Sequence, residues 1–223
     1  MITERRNSMI ARTCARLAAG VPPPRLSARP LSRRLILRDH IEAGAIRSFT
    51  QNSGWTFPGD IARDPERGVF YEAKWESGDG GSVHYVVDEF ADVHYMVVAN
   101  EDPEAPEEVR SRIEGALAVW TVDDMLDDCY VHVYPAGWAK SLLRLGAGAP
   151  LHAVEAVVAH VVFSSEHQDT VVRRAAVRAM AYSAWPEFKE VLARLAHADE
   201  DPRIAWEVGR ALEELEKAGV SEP

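Results

Sequence analysis

The sequence predicts an α+β protein in which a small antiparallel sheet with a covering helix precedes a short C-terminal α-solenoid of helical hairpins. Two observations support this fold class. Apolar residues recur at every second position in several segments between residues 69 and 98, as in half-buried strands. The stretch DTVVRRAAVRAM is nearly repeated 32 positions later as DPRIAWEVGRAL, as in repeat architectures. We therefore divide the chain into an arm (1–38), an α+β lobe (39–134) and a helical lobe packed against it (135–223).

The arm is basic. Residues 1–38 hold nine arginines, no lysine and one acidic residue, Glu4, and they lack the periodic apolar spacing of a packed element. We expect this segment to be disordered. Three interpretations stay open: an organellar transit peptide, a basic arm that touches an anionic partner or the acidic surface of the protein itself, and upstream sequence included by a wrong start site. The last agrees with the excess of Arg, which makes up 21 of the 25 basic residues.

The rest of the chain is strongly acidic. Residues 39–223 contain 16 basic and 34 acidic residues, a net charge of about −18. Such a body repels nucleic acid and anionic membranes and favours a basic partner, or its acidity only keeps the protein soluble. The most apolar stretch, Ala153 to Phe163, is too short to span a bilayer. Cys14 and Cys129 make no metal or redox spacing, so we expect a cytoplasmic protein.

The α+β lobe begins with a predicted three-stranded meander. The first strand covers residues 69–76, and the run SGDGGS at 77–82 predicts a hairpin turn. Residues 83–87 and 93–98 are the second and third strands. A sheet of this size needs a cover, and the next segment supplies a helix that begins at Pro106. The apolar stripe of this helix consists of Val109, Ile113, Ala116, Leu117 and Trp120.

Two shorter elements complete the lobe. The spacing from Thr121 to Asp124 is similar to a capping box and predicts a short helix. The stretch from Tyr130 to Tyr134 predicts a fourth strand. A further helix, carrying Trp138, should follow Pro135.

The helical lobe shows regular apolar stripes. The stripes predict alternating helices at a period of 32 to 34 residues, and they consist of Val154, Val157, Val158 and Val161; Val172, Ala176, Ala179 and Met180; Phe188, Val191, Leu192 and Leu195; and Ile204, Val208, Ala211, Leu212 and Leu215.

The repeated pattern resembles the HEAT-like repeats of the phycobilisome-lyase type. The resemblance rests on the pattern Asp-x-x-Val-Arg from Asp169, on Pro186-Glu187, and on Asp-x-Asp-Pro from Asp199, and it covers about residues 150–218. It implies stacked helical hairpins, with a plain helical bundle as the alternative. Ala205 stands where the second copy should repeat Arg173, so the last repeat is degenerate. Because stacks usually need about three units, we expect the α+β lobe to seal one end.

Side chains off the stripes are the candidates for partner binding. Trp185 lies in a connection and Trp206 lies off its stripe, so each either anchors an interface or fills a seam between helices. Arg174, Arg178 and Arg210 are also off-stripe. These arginines either bind carboxylates of a partner or form ion pairs with acidic residues of their own helices.

Catalytic signals are poor, and we predict no cofactor and no catalytic residue. No phosphate-loop, dinucleotide, nucleophile-elbow or zinc spacing occurs. A weak alternative is a Zn²⁺ or Fe²⁺ site made by His84, Asp88 and His94, which one hairpin register would bring to a single face and another would separate. The acids from Asp123 to Asp128 could attract Mg²⁺ or Ca²⁺, although a solvated acidic helix explains the same spacing.

These observations together favour a non-catalytic protein-binding module. An acidic solenoid offers a rigid surface to a basic partner, as in an inhibitor or immunity-type protein that masks a basic effector, or in an adaptor of a bacterial complex. HEAT-like relatives include lyases that seat bilin chromophores, but the repeat alone does not imply that activity. The alternative from another class is a small metal-dependent enzyme that uses the α+β lobe.

Overall fold

The computed structural model describes residues 32–63, 71–78, 80–100, 102 and 106–217, which form two compact units. The α+β unit comprises the described residues of 32–89 and 93–121, and the helical unit comprises those of 90–92 and 122–217. The division falls at residue 121, earlier in the chain than the predicted residue 134. Most of the predicted disordered arm lies outside the described residues.

The α+β unit contains a five-stranded antiparallel sheet with the strand order β1-β5-β4-β3-β2. The strands are β1 (Leu35–Ile36), β2 (Thr56–Ile61), β3 (Tyr71–Glu76), β4 (Ser82–Asp88) and β5 (Val93–Ala99). The predicted meander is confirmed as β3, β4 and β5.

Strand β1 corrects the predicted boundary of the arm. Leu35 and Ile36 are paired with Met96 and Tyr95 of β5, and both are 1% exposed. Residues 35–37, which the predicted arm included, therefore contribute to the sheet and its core. Strand β2 was not predicted because Pro58 and Gly59 interrupt it, and the pairing with β3 shifts register at that point.

Two helices pack on one face of the sheet. They are α1 (Ala43–Asn52), which the sequence did not predict, and α2 (Pro106–Ala116), which it did. The core between helices and sheet is formed by Leu35, Leu37, Ile46, Trp55, Ala73, Trp75, Val83, Tyr85, Met96, Val98, Val109, Ile113 and Leu117. Trp75, predicted as a core residue, is buried, whereas Trp120 lies beyond the end of α2 and is half-buried.

The helical unit contains six α-helices and one short 3₁₀ helix within the described residues. They are α3 (Val122–Val131), α4 (Pro135–Ala147), α5 (Glu155–Ser165), α6 (Thr170–Ser183), the 3₁₀ helix (Pro186–Phe188), α7 (Lys189–Ala198) and α8 (Pro202–Lys217). The predicted strand from Tyr130 to Tyr134 is wrong, because α3 continues through Val131 and Tyr134 precedes the first turn of α4. None of the helices described in either unit combines the length and the apolar character that crossing a bilayer requires.

The helices of this unit pack in successive pairs. Helix α6 packs against both α4 and α8, so these three form a central row. The outer helices α3, α5 and α7 pack on α4, α6 and α8, respectively. The predicted stripes account for this packing, since Val172, Ala176, Met180, Ile204 and Val208 are all fully buried.

The contact between α4 and α6 is unusually close. A Cβ atom at Gly146 would lie 2.4 Å from Cα and 2.7 Å from Cβ of Ala179. Only glycine at this position lets the two backbones approach so closely. The short distance between α4 and α6 therefore requires that residue 146 has no side chain.

We predict that Gly146→Ala lowers the free energy of unfolding by about 1–3 kcal/mol, because the added methyl group forces the helices apart. Gly209→Ala in α8 is the matched control, since nothing lies within 4 Å of a Cβ there. That change should raise stability by about 0.5–1 kcal/mol through helix propensity. Chemical denaturation of both variants measures the two effects, and the same sign for both would contradict the packing described.

Candidate interaction surface

An exposed group of aromatic side chains lies where α3, α4 and α5 meet. We call Tyr130, Tyr134, Trp138 and Phe163 the aromatic face. Tyr130, Tyr134 and Phe163 are 65%, 78% and 64% exposed, and Val131 and Val133 beside them are also exposed. The Trp138 and Phe163 rings stack with centroids 6.1 Å apart. An apolar surface of this kind on a folded protein commonly marks a binding site.

Trp138 holds the aromatic face together. Its indole Nε1 donates a hydrogen bond to Ser164 Oγ at 3.2 Å, and its ring lies 6.0 Å from the His160 ring and 4.9 Å from the His167 ring. His160 also contacts the Tyr130 ring at 4.8 Å. These contacts hold the rings of Tyr130, Trp138 and Phe163 before any ligand arrives, which lowers the entropic cost of binding.

His160 is the buried histidine of this cluster. It is 5% exposed, and within the described residues its Nε2 atom has no hydrogen-bond partner. Burial lowers the pKa of His160 below its ordinary value of 6.5. The ring is therefore neutral at pH 7 and packs as an aromatic side chain.

Acidic side chains flank the aromatic face. Asp123 and Asp127 on α3 are exposed, and neither forms an ion pair with another described residue. Asp128 differs, because it binds Arg144 Nη1 at 2.8 Å and accepts a hydrogen bond from Ser141 Oγ at 2.6 Å. The part of the chain that the structure describes holds no group of three His, Cys, Asp or Glu side chains suited to a metal ion.

Three of the five predicted partner-binding residues are buried. Arg174 and Arg178 of α6 are 5% and 6% exposed, and both bind the carboxylate of Glu207 on α8, which is 4% exposed. The Arg178 guanidinium also lies 4.2 Å from the Phe90 ring centroid, and burial lowers the pKa of Arg178. The prediction that these arginines face a partner is wrong, because they pair inside the unit.

The tryptophans behave differently from each other. Trp185 is 2% exposed, stacks on Phe188 and donates a hydrogen bond to the Pro150 carbonyl at 2.9 Å, so it fills a seam between helices. Trp206 is 54% exposed. Arg210 is partly exposed and binds Glu213 at 2.7 Å. Of the predicted set, Trp206 and Arg210 remain available at the surface.

The hairpin register separates the predicted metal ligands. In β4 and β5, His84 pairs with Val97 and Asp88 with Val93, whereas His94 pairs with Val87. His84 and Asp88 therefore lie on one face of the sheet and His94 on the other. His94 Nδ1 accepts a hydrogen bond from the Tyr85 hydroxyl at 3.1 Å. The three side chains do not form one site, so the metal-site alternative is wrong.

His84 instead belongs to a relay that the sequence did not suggest. Its Nε2 lies 2.8 Å from Ser82 Oγ, and its Nδ1 contacts the Glu72 carboxylate. A carboxylate, an imidazole and a hydroxyl in this order are also the parts of an activated nucleophile. Ser82 is only 4% exposed, which hides its hydroxyl from a substrate. We interpret the relay as a structural hydrogen-bond network.

Comparisons with known proteins add no relative: no family model, no curated protein and no solved structure matches the chain. The resemblance to HEAT-like repeats stays a prediction from the sequence.

We predict that Glu207→Gln lowers the free energy of unfolding by about 3 kcal/mol, because it leaves two buried guanidinium groups without their shared carboxylate. Glu216→Gln on the same helix is the control, since Glu216 is exposed. Urea denaturation should show a much smaller effect for the control. Equal effects would mean that the buried ion pairs contribute little.

The neutral state of His160 predicts a dependence of stability on pH. The unfolded chain takes up a proton near pH 6.5, whereas the folded protein resists protonation until lower pH. The free energy of unfolding should therefore fall as the pH drops below about 6.5, and His160→Gln should weaken this fall. His152→Gln, at an exposed position, should leave it unchanged. Denaturation at pH 7 and pH 5 tests both variants, and identical pH dependence for all three proteins contradicts the assignment.

Proposed function

We propose that the protein is a non-catalytic binding module whose aromatic face binds a basic segment of a partner protein. The single observation that supports this most is the exposed aromatic face beside Asp123 and Asp127 of α3, neither of which forms an ion pair with another described residue. The aromatic face replaces the surface that the sequence analysis predicted around Arg174, Arg178 and Trp185.

The aromatic face has the chemistry of an interface anchor. Tyrosine and tryptophan bury large areas on binding and lose few rotamers when they do so. Trp138 is held by Ser164, and Tyr130 rests on His160. Exposed ring faces also attract lysine and arginine side chains through cation–π contacts.

Charge selects the kind of partner. Asp123 lies two turns and Asp127 one turn before Tyr130 and Val131 on α3. Glu155 on α5 is also exposed. The net charge of residues 39–223 is about −18, from 16 basic and 34 acidic residues. This charge speeds the approach of a basic protein and disfavours an acidic one.

The pairing of the helices supports a short HEAT-like solenoid as the scaffold. In such a stack each hairpin contacts its neighbours, and the exposed helices form a continuous binding surface. The central row of α4, α6 and α8, with one outer helix on each, is the arrangement expected of such hairpins. Both versions of the function, an inhibitor that masks a basic effector and an adaptor in a bacterial complex, use this surface.

The partner is identified by photo-cross-linking from the aromatic face. A photoreactive phenylalanine replaces Tyr134 in cells that express the chain, and the same residue replaces Trp206 as the control position, since both sites are exposed. The adduct formed at position 134 is identified by mass spectrometry, and the partner is then purified for binding measurements. An adduct only at position 206, or an acidic partner at position 134, contradicts the proposal.

We predict that Asp123→Lys combined with Asp127→Lys weakens the binding of the purified partner about tenfold or more, and that raising the salt concentration weakens wild-type binding in the same direction. Glu42→Lys combined with Glu76→Lys is the matched control, because it changes the net charge equally at exposed positions of the α+β unit. Binding that is indifferent to both salt and the α3 reversal would reject the proposed surface.

A further inference from the structure

The α+β unit contains a cavity that the proposed protein binding does not use. The cavity has a volume of about 380 Å³ and lies between α1 and the strands β2, β3 and β4. A volume of roughly 300–1,000 Å³ is the usual range for small-molecule sites. The cavity lies within one unit and shares no residue with the aromatic face.

The floor of the cavity is aromatic and fixed. Four rings line it, those of Trp55, Tyr71, Trp75 and Tyr85. The aliphatic side chains of Ile46 and Ala73 complete the floor. Trp55 and Trp75 are 7% and 6% exposed, and each contacts a further phenylalanine ring, Phe49 at 5.3 Å and Phe57 at 5.5 Å. The rings are therefore held in place without a ligand.

Tyr85 is the best anchored of these rings. Its hydroxyl hydrogen-bonds to His94 Nδ1 at 3.1 Å, and His94 Nε2 lies 3.3 Å from the Arg38 carbonyl. Burial lowers the pKa of His94, so its neutral ring can accept from Tyr85 through Nδ1 while it donates to the carbonyl through Nε2. The Tyr71 ring meets Tyr85 edge-on at 6.3 Å and extends this wall toward solvent.

The rim of the cavity is polar. Arg47 and Gln51 lie one turn apart on α1, and Asp60 lies on β2. All three are exposed, and neither Arg47 nor Asp60 forms an ion pair with another described residue. The rim thus offers the Arg47 guanidinium and the Gln51 amide as hydrogen-bond donors, and the Asp60 carboxylate as an acceptor.

We propose that this cavity binds a small aromatic molecule that carries an acid group and a hydrogen-bond donor. The aromatic body packs among the floor rings, which offer both ring faces and ring edges. The carboxylate or phosphate binds the Arg47 guanidinium, which matches either group with two parallel hydrogen bonds. The donor group of the ligand faces Asp60. Aromatic amino acids and purine nucleotides share this chemistry.

The test uses L-tryptophan and AMP as probes for the two sources, with tryptamine and adenosine as the counterparts that lack only the acid group. Isothermal titration calorimetry on the full chain should detect binding of at least one of the two probes that carry an acid group. The counterpart that lacks its acid group should bind about tenfold more weakly, which corresponds to about 1.4 kcal/mol. Arg47→Ala should abolish that difference, and Arg47→Lys should keep part of it.

Two variants at exposed positions of the same helix locate the site. Ala43 lines the cavity, so Ala43→Trp should block it and abolish binding. Ala45→Trp, off the lining, should bind as the wild type does. Absence of binding for both acidic probes, or binding that survives Ala43→Trp, overturns the proposal. Either result leaves the proposal for the aromatic face intact, because that surface is tested with different variants in the other unit.

Discussion

The close approach of α4 to α6 is the contact on which the helical unit depends. Gly146 against Ala179 sets the distance between these helices, and α3 and α5 take their positions from them, since α3 packs on α4 and α5 on α6. Trp138 belongs to α4 and Phe163 to α5, so the stacking of their rings follows from that spacing. The absence of a side chain at Gly146 thus helps to set where the rings of Trp138 and Phe163 lie.

The helical unit buries two charged side chains of α6, while the rings of Tyr130, Tyr134 and Phe163 are exposed at its surface. Burial of a charge is costly unless it is paired, and Arg174 and Arg178 share one carboxylate, that of Glu207, across the seam between α6 and α8. This pairing specifies how the two helices align. Under the proposed function, burial of these exposed rings against a partner would remove their apolar surface from water.

The sequence predicted the features that depend on local periodicity. The alternation in β3, β4 and β5 and the apolar stripes of α6 and α8 were confirmed, because each reflects one buried face. Features set by distant residues could not be predicted. Arg178 is off-stripe, and only the position of Glu207 shows that it points inward; likewise, only the strand register separates His84 from His94. The aromatic face was missed because the apolar run from Tyr130 to Tyr134 is also typical of a strand.

The two proposed sites lie in different units and differ in kind, since one is an open surface and the other a cavity. The central claim concerns the surface: a basic partner binds the aromatic face. Hydrogen–deuterium exchange on the complex with the cross-linked partner, purified separately and added back, tests this claim most directly. We expect slower exchange in residues 126–138 and 155–167 on binding. Protection confined to the α+β unit, or to α8 around Trp206, would contradict it.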